Sequence, residues 1–328
     1  MALMASSASA SNRAISAVSL TKVVPLTVDA ILIAGSTASG KSRAALELAQ
    51  RLNGVVVNAD SMQVYREARI LTARPSETDL ASVRHLLYGH VGVDENYSTG
   101  RYQIDASNAL LEARRAGRVP IFVGGTGLYF TALTEGLADM PVIPPAVRSA
   151  ARRHLAAVGN VAFHGELAAR DPALAALLKP GDSQRMLRAF EVFEASGKPL
   201  SFWQQSAGTP VLAGLTLAKF VLEVPRTLLR ERIEARFRAM LAAGAMAEAL
   251  ALRDLDPALP AAKIIGRREL LALHDGALGA EQAVERAVTA TRQFAKRQDT
   301  WFRNQCAGWT RLDAADYRNI VTNMLSNL

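Results

Sequence analysis

Short runs of apolar residues recur along the chain, and each of them ends at glycines or polar side chains. Residues 31–34 lead into a glycine, residues 55–57 lead into Asn58-Ala59-Asp60, and residues 120–123 lead into two glycines. Stretches with helical spacing lie between these runs. Buried strands that alternate with helices indicate an α/β fold, a parallel sheet with helices on both faces. In such sheets ligands bind at the carboxyl ends of the strands, so we look for a site there.

The segment 139–211 has a different pattern. It is rich in Ala and Arg, shows helical spacing and several prolines, and contains no clear strand. An apolar run returns at residues 219–224, and a helical region follows it to about Arg303. We therefore predict a helical insertion domain at 139–211, and a core with C-terminal helices formed by residues 29–138 and 212–328.

The first 28 residues are rich in Ser and Ala and contain no acidic side chain. We predict that residues 1–28 are a disordered leader. Two alternatives stay open, which are an organellar transit peptide and an upstream start codon.

Composition limits the compartment and the partners. With Cys306 as the only cysteine, the chain has no intramolecular disulfide and no cysteine cluster for zinc, which suits the reducing cytoplasm. No uncharged apolar run approaches the ~18–20 residues that span a bilayer, so we expect a soluble protein with no membrane partner. The net charge of +8 favours polyanions such as nucleic acid, although a generally basic surface would give the same value. We expect a monomer.

Residues 35–42 fit the phosphate-loop pattern G-x-x-x-x-G-K-[ST], between a predicted strand and a helix that starts at Gly40 or Lys41. The predicted fold is therefore a P-loop-type parallel sheet with helices on both faces. Backbone amides and the helix dipole suit a diphosphate there, while Lys41 and a Mg²⁺ ion held by Ser42 neutralise its terminal oxygens. The same cradle stabilises pyrophosphate as a leaving group when carbon is attacked, so the motif does not by itself indicate phosphoryl transfer. The predicted diphosphate-binding residues are Gly35, Ser36, Thr37, Ala38, Ser39, Gly40, Lys41 and Ser42.

Further motifs follow the phosphate loop in order. They are Asp60-Ser61-Met62-Gln63-Val64-Tyr65, Thr72-Ala73-Arg74-Pro75, Gly124-Gly125-Thr126-Gly127-Leu128-Tyr129, Asp182-Ser183-Gln184-Arg185 with Arg188-Ala189, and the stretch from Thr291 to Arg303. With these motifs the chain resembles the tRNA dimethylallyltransferase (isopentenyl-tRNA transferase) family from roughly Ala30 to Arg303. A phosphate loop by itself leaves many functions open, whereas this ordered set is specific.

The resemblance implies a reaction. The family transfers a dimethylallyl group from dimethylallyl diphosphate to the exocyclic amine of the adenosine just 3′ of the tRNA anticodon, and releases pyrophosphate. We therefore expect dimethylallyl diphosphate and the tRNA anticodon stem-loop as partners and Mg²⁺ as the cofactor. An enclosed site also requires the adenosine to leave its stack.

The predicted catalytic residues are Asp60, Thr126 and Lys41. An adenine amine is a poor nucleophile because its lone pair is delocalised into the ring, so removal of its proton during bond formation helps by ~10²–10⁴-fold. The family assigns this removal to the aspartate that matches Asp60. By the same resemblance Thr126 lies in the reaction channel, while Lys41 stabilises the leaving group. Without the family, Asp60 also suits a helix cap or a kinase magnesium ligand, and Thr126 suits a helix cap.

Positive charge lies on one face of the C-terminal helical stretch. At about 100° per residue, Arg292, Lys296 and Arg303 share a face, and Phe294 and Trp301 share the opposite one. A solvated helix would show the same pattern, but the family uses the insertion and adjoining regions to hold the anticodon stem-loop. The residues predicted to contact tRNA are Asp60, Ser61, Met62, Gln63, Thr126, Arg148, Gln184, Arg185, Arg188, Arg292, Lys296 and Arg303.

The chain departs from the family pattern at several positions. Leu71 and Arg74 replace a glycine and a lysine, while Arg267 and Glu269 replace a tyrosine and a glutamine. The stretch Val83-Arg84-His85-Leu86-Leu87 retains the family's P-H-H-L signature only in part. We expect the diphosphate or RNA contacts to differ at these positions. We expect His85 to be structural, because no His or Cys lies at ligand spacing from it.

Three other functions fit parts of the sequence. A small-molecule phosphotransferase would use the same loop and sheet, with the insertion as an acceptor lid, and would consume ATP. An adenylate prenyltransferase would act on a free nucleotide, which needs neither the insertion nor the basic helix. An RNA-binding protein regulated by a nucleotide would bind RNA without forming a product, and it leaves Asp60 without a role.

Overall fold

The computed structural model describes residues 27–206 and 208–328. The predicted leader lies outside these ranges apart from its last two residues, and it stays a prediction. In the described part of the chain, none of the helices combines the length and the hydropathy that a membrane span requires.

Within the described residues, six parallel strands form one sheet in the order β3-β2-β4-β1-β5-β6. The strands are β1 (Ala30–Gly35), β2 (Gly54–Asn58), β3 (His85–Leu86), β4 (Val119–Gly124), β5 (Leu217–Glu223) and β6 (Thr310–Asp313). The predicted α/β fold with a parallel sheet is therefore confirmed. Strand β1 lies between β4 and β5, and all of its residues are buried, which is why its sequence is a continuous apolar run.

Helices cover both faces of the sheet. The helices of the described residues are α1 (Lys41–Leu52), α2 (Glu77–Ser82), α3 (Thr99–Arg115), α4 (Gly127–Thr134), α5 (Pro145–Arg170), α6 (Pro172–Ala175), α7 (Ser183–Ser196), α8 (Leu200–Trp203), α9 (Arg226–Ala242), α10 (Ala245–Ala251), α11 (Arg267–His274), α12 (Ala280–Gln305) and α13 (Tyr317–Leu325), with a 3-10 turn at Pro260–Lys263. Alternate residues of β1 enter different apolar clusters. Leu32 packs with residues of α3, α4, α9 and α12, whereas Ile31 and Ile33 pack with α1 and α13.

The helices α5 to α8 surround an apolar core of their own. Phe163 of α5 stacks on Phe190 of α7 with ring centroids 4.5 Å apart, and both rings belong to a buried cluster drawn from residues 143–200. The chain turns within α5 at Gly159, whose φ is +77°. The described residues of 139–211 contain helices and no strand. Where this predicted domain begins and ends stays a prediction.

Strand β6 and helix α13 at the C-terminal end were not predicted. The four residues of β6 pair with β5, and only Leu312 among them is buried, so no apolar run marks this strand in the sequence. Helix α13 buries Ile320, Val321 and Met324 in the same cluster as Leu48 of α1. The end of the chain therefore packs against the helix that begins at the phosphate loop.

Candidate active site

A cavity of about 460 Å³ lies where the carboxyl ends of β1 and β2 meet α9, α12 and α13. Its lining includes the cationic side chains Lys41, Arg43, Arg232 and Arg236, together with the carboxylate of Asp60. Apolar side chains also line it, namely Met62, Leu71, Ile265 and Phe294. A cavity with several cations, one acid and apolar surface suits a ligand that carries both an anionic group and a hydrocarbon part.

Internal contacts hold the phosphate loop in a defined conformation. Gly40 has a φ of +91°, a left-handed conformation that favours glycine, and it directly precedes α1. The amide of Ser39 donates to the carbonyl of Ser36 at 3.2 Å, and Nζ of Lys41 donates to the same carbonyl at 3.0 Å. Of the predicted diphosphate-binding residues, the cavity lining includes Thr37, Ala38, Gly40, Lys41 and Ser42, while Gly35, Ser36 and Ser39 are buried beneath it.

Lys41 has an unusual electrostatic environment. Its side chain is only 8% exposed, and this burial lowers its pKa to about 8. The carboxylate of Asp60 opposes the shift, whereas the guanidinium of Arg236 adds to it. A buried ammonium group next to another cation is stabilised by an incoming anion, so this part of the cavity favours a ligand of high negative charge.

Asp60 follows β2 and is held by its neighbours. The side chain of the buried Asn58 accepts from the amide of Asp60 at 2.8 Å and donates to the carbonyls of Asp60 and Leu87 at 2.9 and 3.0 Å. One carboxylate oxygen of Asp60 accepts from the amide of Met62 at 2.9 Å. The next helix, α2, begins only at Glu77, so Asp60 does not cap a helix, and the contact with Met62 closes a local turn instead. It orients a carboxylate that also lines the cavity.

Thr126 lies behind Asp60. Its Oγ1 accepts from the amide of Ser61 at 2.9 Å and donates to Oγ of Ser61 at 3.1 Å. Although Thr126 directly precedes α4, its side chain makes no capping hydrogen bond to that helix. A Cβ at Gly124 would come within 1.9 Å of the carbonyl oxygen of Ala59, so only glycine permits this close approach of β4 to the end of β2. The lining of the cavity includes Asp60 but neither Ser61 nor Thr126.

Gln298 was not singled out from the sequence, although it joins two loops of the site. Its Oε1 accepts from the amide of Thr37 at 2.9 Å, and its Nε2 donates to the carbonyl of Gly125 at 2.8 Å. The side chain is 5% exposed. Ala295, Gln298 and Phe302 lie at helical spacing on the packing face of α12. A polar residue between two apolar ones on such a face was the signal in the sequence.

Arg236 and Arg232 of α9 were also missed. Arg236 donates to Oγ1 of Thr37 at 2.6 Å, and burial lowers its pKa. Arg232 donates to the carbonyls of Ala314 and Ala315 at 3.0 and 2.8 Å. Their spacing of four residues places them on one face of α9, which was the signal in the sequence.

The residues predicted to contact tRNA fall into two regions. In the first region, Asp60, Met62 and Gln63 line the cavity, and Ser61 and Thr126 lie next to them outside the lining. Nε2 of Gln63 donates to the carbonyls of Thr72 and Ala73 at 2.8 and 3.0 Å, so its amide group also holds the next segment of the cavity wall.

The other predicted tRNA contacts lie on the insertion and on α12. Arg148 belongs to α5, and Gln184, Arg185 and Arg188 belong to α7. Burial lowers the pKa of Arg188, the carboxylate of Glu191 opposes this shift, and the nearby Arg148 adds to it. The exposed face of α12 carries Arg292, Lys296 and Arg303, as its pattern indicated. Phe294 and Trp301 are half-buried and flank the packing face of α12.

The departures from the family pattern have internal partners. Arg267 is buried and donates to the carbonyls of Leu252 and Arg253 at 2.7 and 2.8 Å, where it satisfies the end of α10. Glu269 accepts from the amide of Gly266 at 3.1 Å and caps α11.

Nearer the cavity, Arg74 donates to the carbonyls of Tyr65 and Arg66 at 3.1 and 2.9 Å. Leu71 is buried in the cavity wall. Nδ1 of His85 bonds to the carbonyl of Val83 at 2.8 Å, and burial lowers the pKa of His85, which agrees with a structural histidine.

Comparisons with known proteins agree with these motifs. Residues 63–305 match a family model described as IPP transferase. The chain is 51% identical to the tRNA dimethylallyltransferase of Sinorhizobium medicae over 88% of this chain and 96% of that protein. It is 49% identical to the tRNA dimethylallyltransferase of Agrobacterium fabrum over 87% of this chain and 96% of that protein.

Solved structures show the same relationship. A eukaryotic dimethylallyltransferase acting on tRNA has a TM-score of 0.73 and 28% identity, over 90% of this chain and 77% of that chain. The full-length tRNA isopentenylpyrophosphate transferase from Bacillus halodurans has a TM-score of 0.63 and 30% identity, over 91% of this chain and 95% of that chain. The similarity in sequence and the similarity in fold thus extend over most of the chain.

Proposed function

The chain belongs to the IPP transferase family, and we propose that it transfers a dimethylallyl group from dimethylallyl diphosphate to the exocyclic amine of the adenosine just 3′ of the tRNA anticodon. The products are the alkylated tRNA and pyrophosphate. Relatives about half identical to this chain carry the name tRNA dimethylallyltransferase. The observation that carries the proposal is the presence of Asp60, Lys41 and Arg236 in one cavity with apolar surface.

The cations of the cavity bind the diphosphate of the donor. When the bond between the allylic carbon and oxygen breaks, its electron pair remains on the pyrophosphate oxygen. Lys41, Arg236 and the amides of the phosphate loop are already oriented in the folded protein, so they stabilise that charge without reorganisation. With a pKa of about 8, Lys41 is mostly protonated at neutral pH. Its role is therefore to hold the leaving group.

Asp60 accepts the proton of the nucleophile. The amine nitrogen of the adenosine forms the new bond to the allylic carbon, and one of its protons passes to the carboxylate of Asp60. The contacts from Asn58 and from the amide of Met62 hold this group in place. Proton removal by an oriented carboxylate offsets the weak nucleophilicity of the adenine amine.

Magnesium is part of the proposal. Ser42 follows Lys41 at the start of α1, and its exposed hydroxyl lines the cavity. Mg²⁺ keeps several waters and binds mainly through substrate phosphates, so a single hydroxyl ligand fits it. The described residues contain no group of three or more His, Cys, Asp or Glu side chains at a common metal position. When bound, the ion neutralises charge on the diphosphate.

The tRNA is held by the insertion and by α12 in this proposal. Arg148 and Arg188 lie close enough to affect each other, and a phosphate would relieve their mutual repulsion. The exposed cations of α12 extend the basic surface. We further propose that the enzyme acts as a monomer in the cytoplasm, where the thiol of the buried Cys306 remains reduced.

The test is an alkylation assay. The purified protein is incubated with Mg²⁺, dimethylallyl diphosphate and unmodified tRNA that carries adenosine 3′ of the anticodon, and the digested nucleosides are analysed by mass. We expect one dimethylallyl adduct on that adenosine, and we expect Asp60→Asn to abolish it. A tRNA with guanosine at the same position is the substrate control, and Asp79→Asn, a half-buried capping-box residue of α2 outside the cavity lining, is the matched protein control.

Two results would contradict the proposal. If the tRNA stays unchanged while ATP is consumed with a small acceptor, the protein is a phosphotransferase. If free adenylate is alkylated and tRNA is not, the protein is an adenylate prenyltransferase.

A further inference from the structure

Helix α13 reaches back to the phosphate loop through its first residue. A Cβ at Gly40 would come within 2.0 Å of Cε1 of Tyr317, so the tyrosine ring occupies the space beside the glycine. Tyr317 also lines the cavity, in common with Lys41 and Ser42. The end of the chain therefore forms part of the wall next to the phosphate loop.

The ring of Tyr317 contacts two arginines of the same cavity. The guanidinium carbon of Arg232 lies 4.1 Å from the ring centroid, and that of Arg43 lies 5.5 Å from it. A cation over an aromatic face is attracted by the ring quadrupole. Arg232 is further held by the carbonyls of Ala314 and Ala315. Carbonyl oxygens and a ring face orient a guanidinium without neutralising its charge, which remains available to an anion.

The position of Tyr317 is set by packing outside the cavity. Ile320, Val321 and Met324 of α13 are buried with Leu48 of α1, the helix that begins at Lys41. The family model matches the chain only as far as residue 305, so this helix lies beyond it. The ring, the phosphate loop and the two arginines therefore belong to one packed unit.

We propose that Tyr317 is a positioning residue of the diphosphate site, which holds Arg232 and Arg43 beside the phosphate loop and so raises the affinity for the prenyl diphosphate donor. The identity of the donor rests on the proposed function. The binding of a diphosphate at this wall does not depend on which acceptor is alkylated.

The test uses inorganic pyrophosphate with Mg²⁺ as the probe, measured by calorimetry on the full chain. In Tyr317→Leu we expect the Kd for pyrophosphate and the KM for dimethylallyl diphosphate to rise about three- to thirtyfold, the range of a partly desolvated cation–π contact. The KM for tRNA and kcat should stay the same. Tyr317→Phe keeps the ring and should restore binding. Arg318→Ala on the same helix is the control, because its side chain is 87% exposed and pairs with Asp316.

A second pair of variants tests the proposal without relying on Tyr317→Leu by itself. Arg232→Gln should weaken pyrophosphate binding to a similar degree, and adding Tyr317→Leu to it should cost less than the sum of the two single effects, because both changes remove one interaction. The proposal is wrong if Tyr317→Leu binds pyrophosphate as tightly as the unchanged protein, if Tyr317→Phe loses as much as Tyr317→Leu, or if the two effects are additive. Weaker pyrophosphate binding in Tyr317→Leu supports the proposal even if no tRNA is alkylated. The absence of alkylation would count against the proposed function only.

Discussion

The hydroxyl of Thr126 and the amide of Ser61, 65 positions apart in the chain, are joined by a hydrogen bond of 2.9 Å. The same hydroxyl donates to Oγ of Ser61. Because Ser61 directly follows Asp60, these contacts fix the carboxylate relative to the loop between β4 and α4. The resemblance predicts that Thr126 lies in the reaction channel, and we propose from this geometry that it also positions Asp60.

Replacement of Thr126 by valine should therefore slow alkylation. Valine keeps the shape of the side chain and removes both hydrogen bonds, each worth about 0.5–1.5 kcal/mol, so we expect kcat to fall by about five- to hundredfold. Single-turnover rates at saturating donor and tRNA measure this. Thr126→Ser retains the hydroxyl and should stay close to the unchanged protein. An unchanged rate in Thr126→Val would show that these bonds do not position Asp60.

The pH dependence of donor use should report Lys41. Burial lowers its pKa to about 8, so the lysine is a cation below that pH and neutral above it. Because a diphosphate needs the cation, we expect kcat/KM for dimethylallyl diphosphate to fall about tenfold per pH unit above about pH 8. In Lys41→Arg the guanidinium stays charged, and the decline should disappear. A decline at the same pH in both proteins would assign it to another group.

Glu248 should stabilise the segment that forms one wall of the cavity. Its carboxylate accepts from the amides of Arg69, Ile70 and Leu71 at 2.9, 2.7 and 2.8 Å. In Glu248→Gln, an NH₂ group would face one of these amides, and two donors cannot form a hydrogen bond with each other. We therefore expect the free energy of unfolding, measured in urea titrations, to fall by about 1–3 kcal/mol. Glu234→Gln of α9 is the control, since its carboxylate pairs with the exposed Arg238. Equal losses in both variants would argue against this role of Glu248.

The basic face of α12 should contribute to tRNA affinity through phosphate contacts. When Arg292 and Lys296 are both replaced by glutamine, we expect weaker tRNA binding. In a plot of the logarithm of the association constant against the logarithm of the salt concentration, the magnitude of the slope should decrease by roughly 0.7–0.9 for each lost phosphate contact. Binding titrations at several salt concentrations measure it. Pyrophosphate binding should not change.

The control for this experiment replaces Arg114 and Arg115, which are exposed at the end of α3. It removes the same charge from another surface. If both pairs reduce tRNA affinity and the salt slope equally, the effect comes from net charge and not from the face of α12.

Local patterns in the sequence determined the fold class and the first part of the site. The buried run of β1, the glycine at position 40 and the start of α1 lie within a dozen or so residues of each other, so their pattern predicts strand, loop and helix without knowledge of distant contacts. The ordered motifs identified the family for the same reason, because each of them is a short continuous stretch. The position of Asp60 after an apolar run likewise indicated the carboxyl end of a strand.

Contacts between distant segments were decided only by the tertiary structure. Gln298 bonds to Thr37 across 261 positions, and Tyr317 meets Gly40 from the last helix of the chain. Strand β6 has too few buried residues to show an apolar run, and it forms because β5 offers a free edge. Such a contact depends on the space and the partners that folding brings to the side chain. These partners are distant in the sequence, so the residues that flank the side chain along the chain do not indicate the contact.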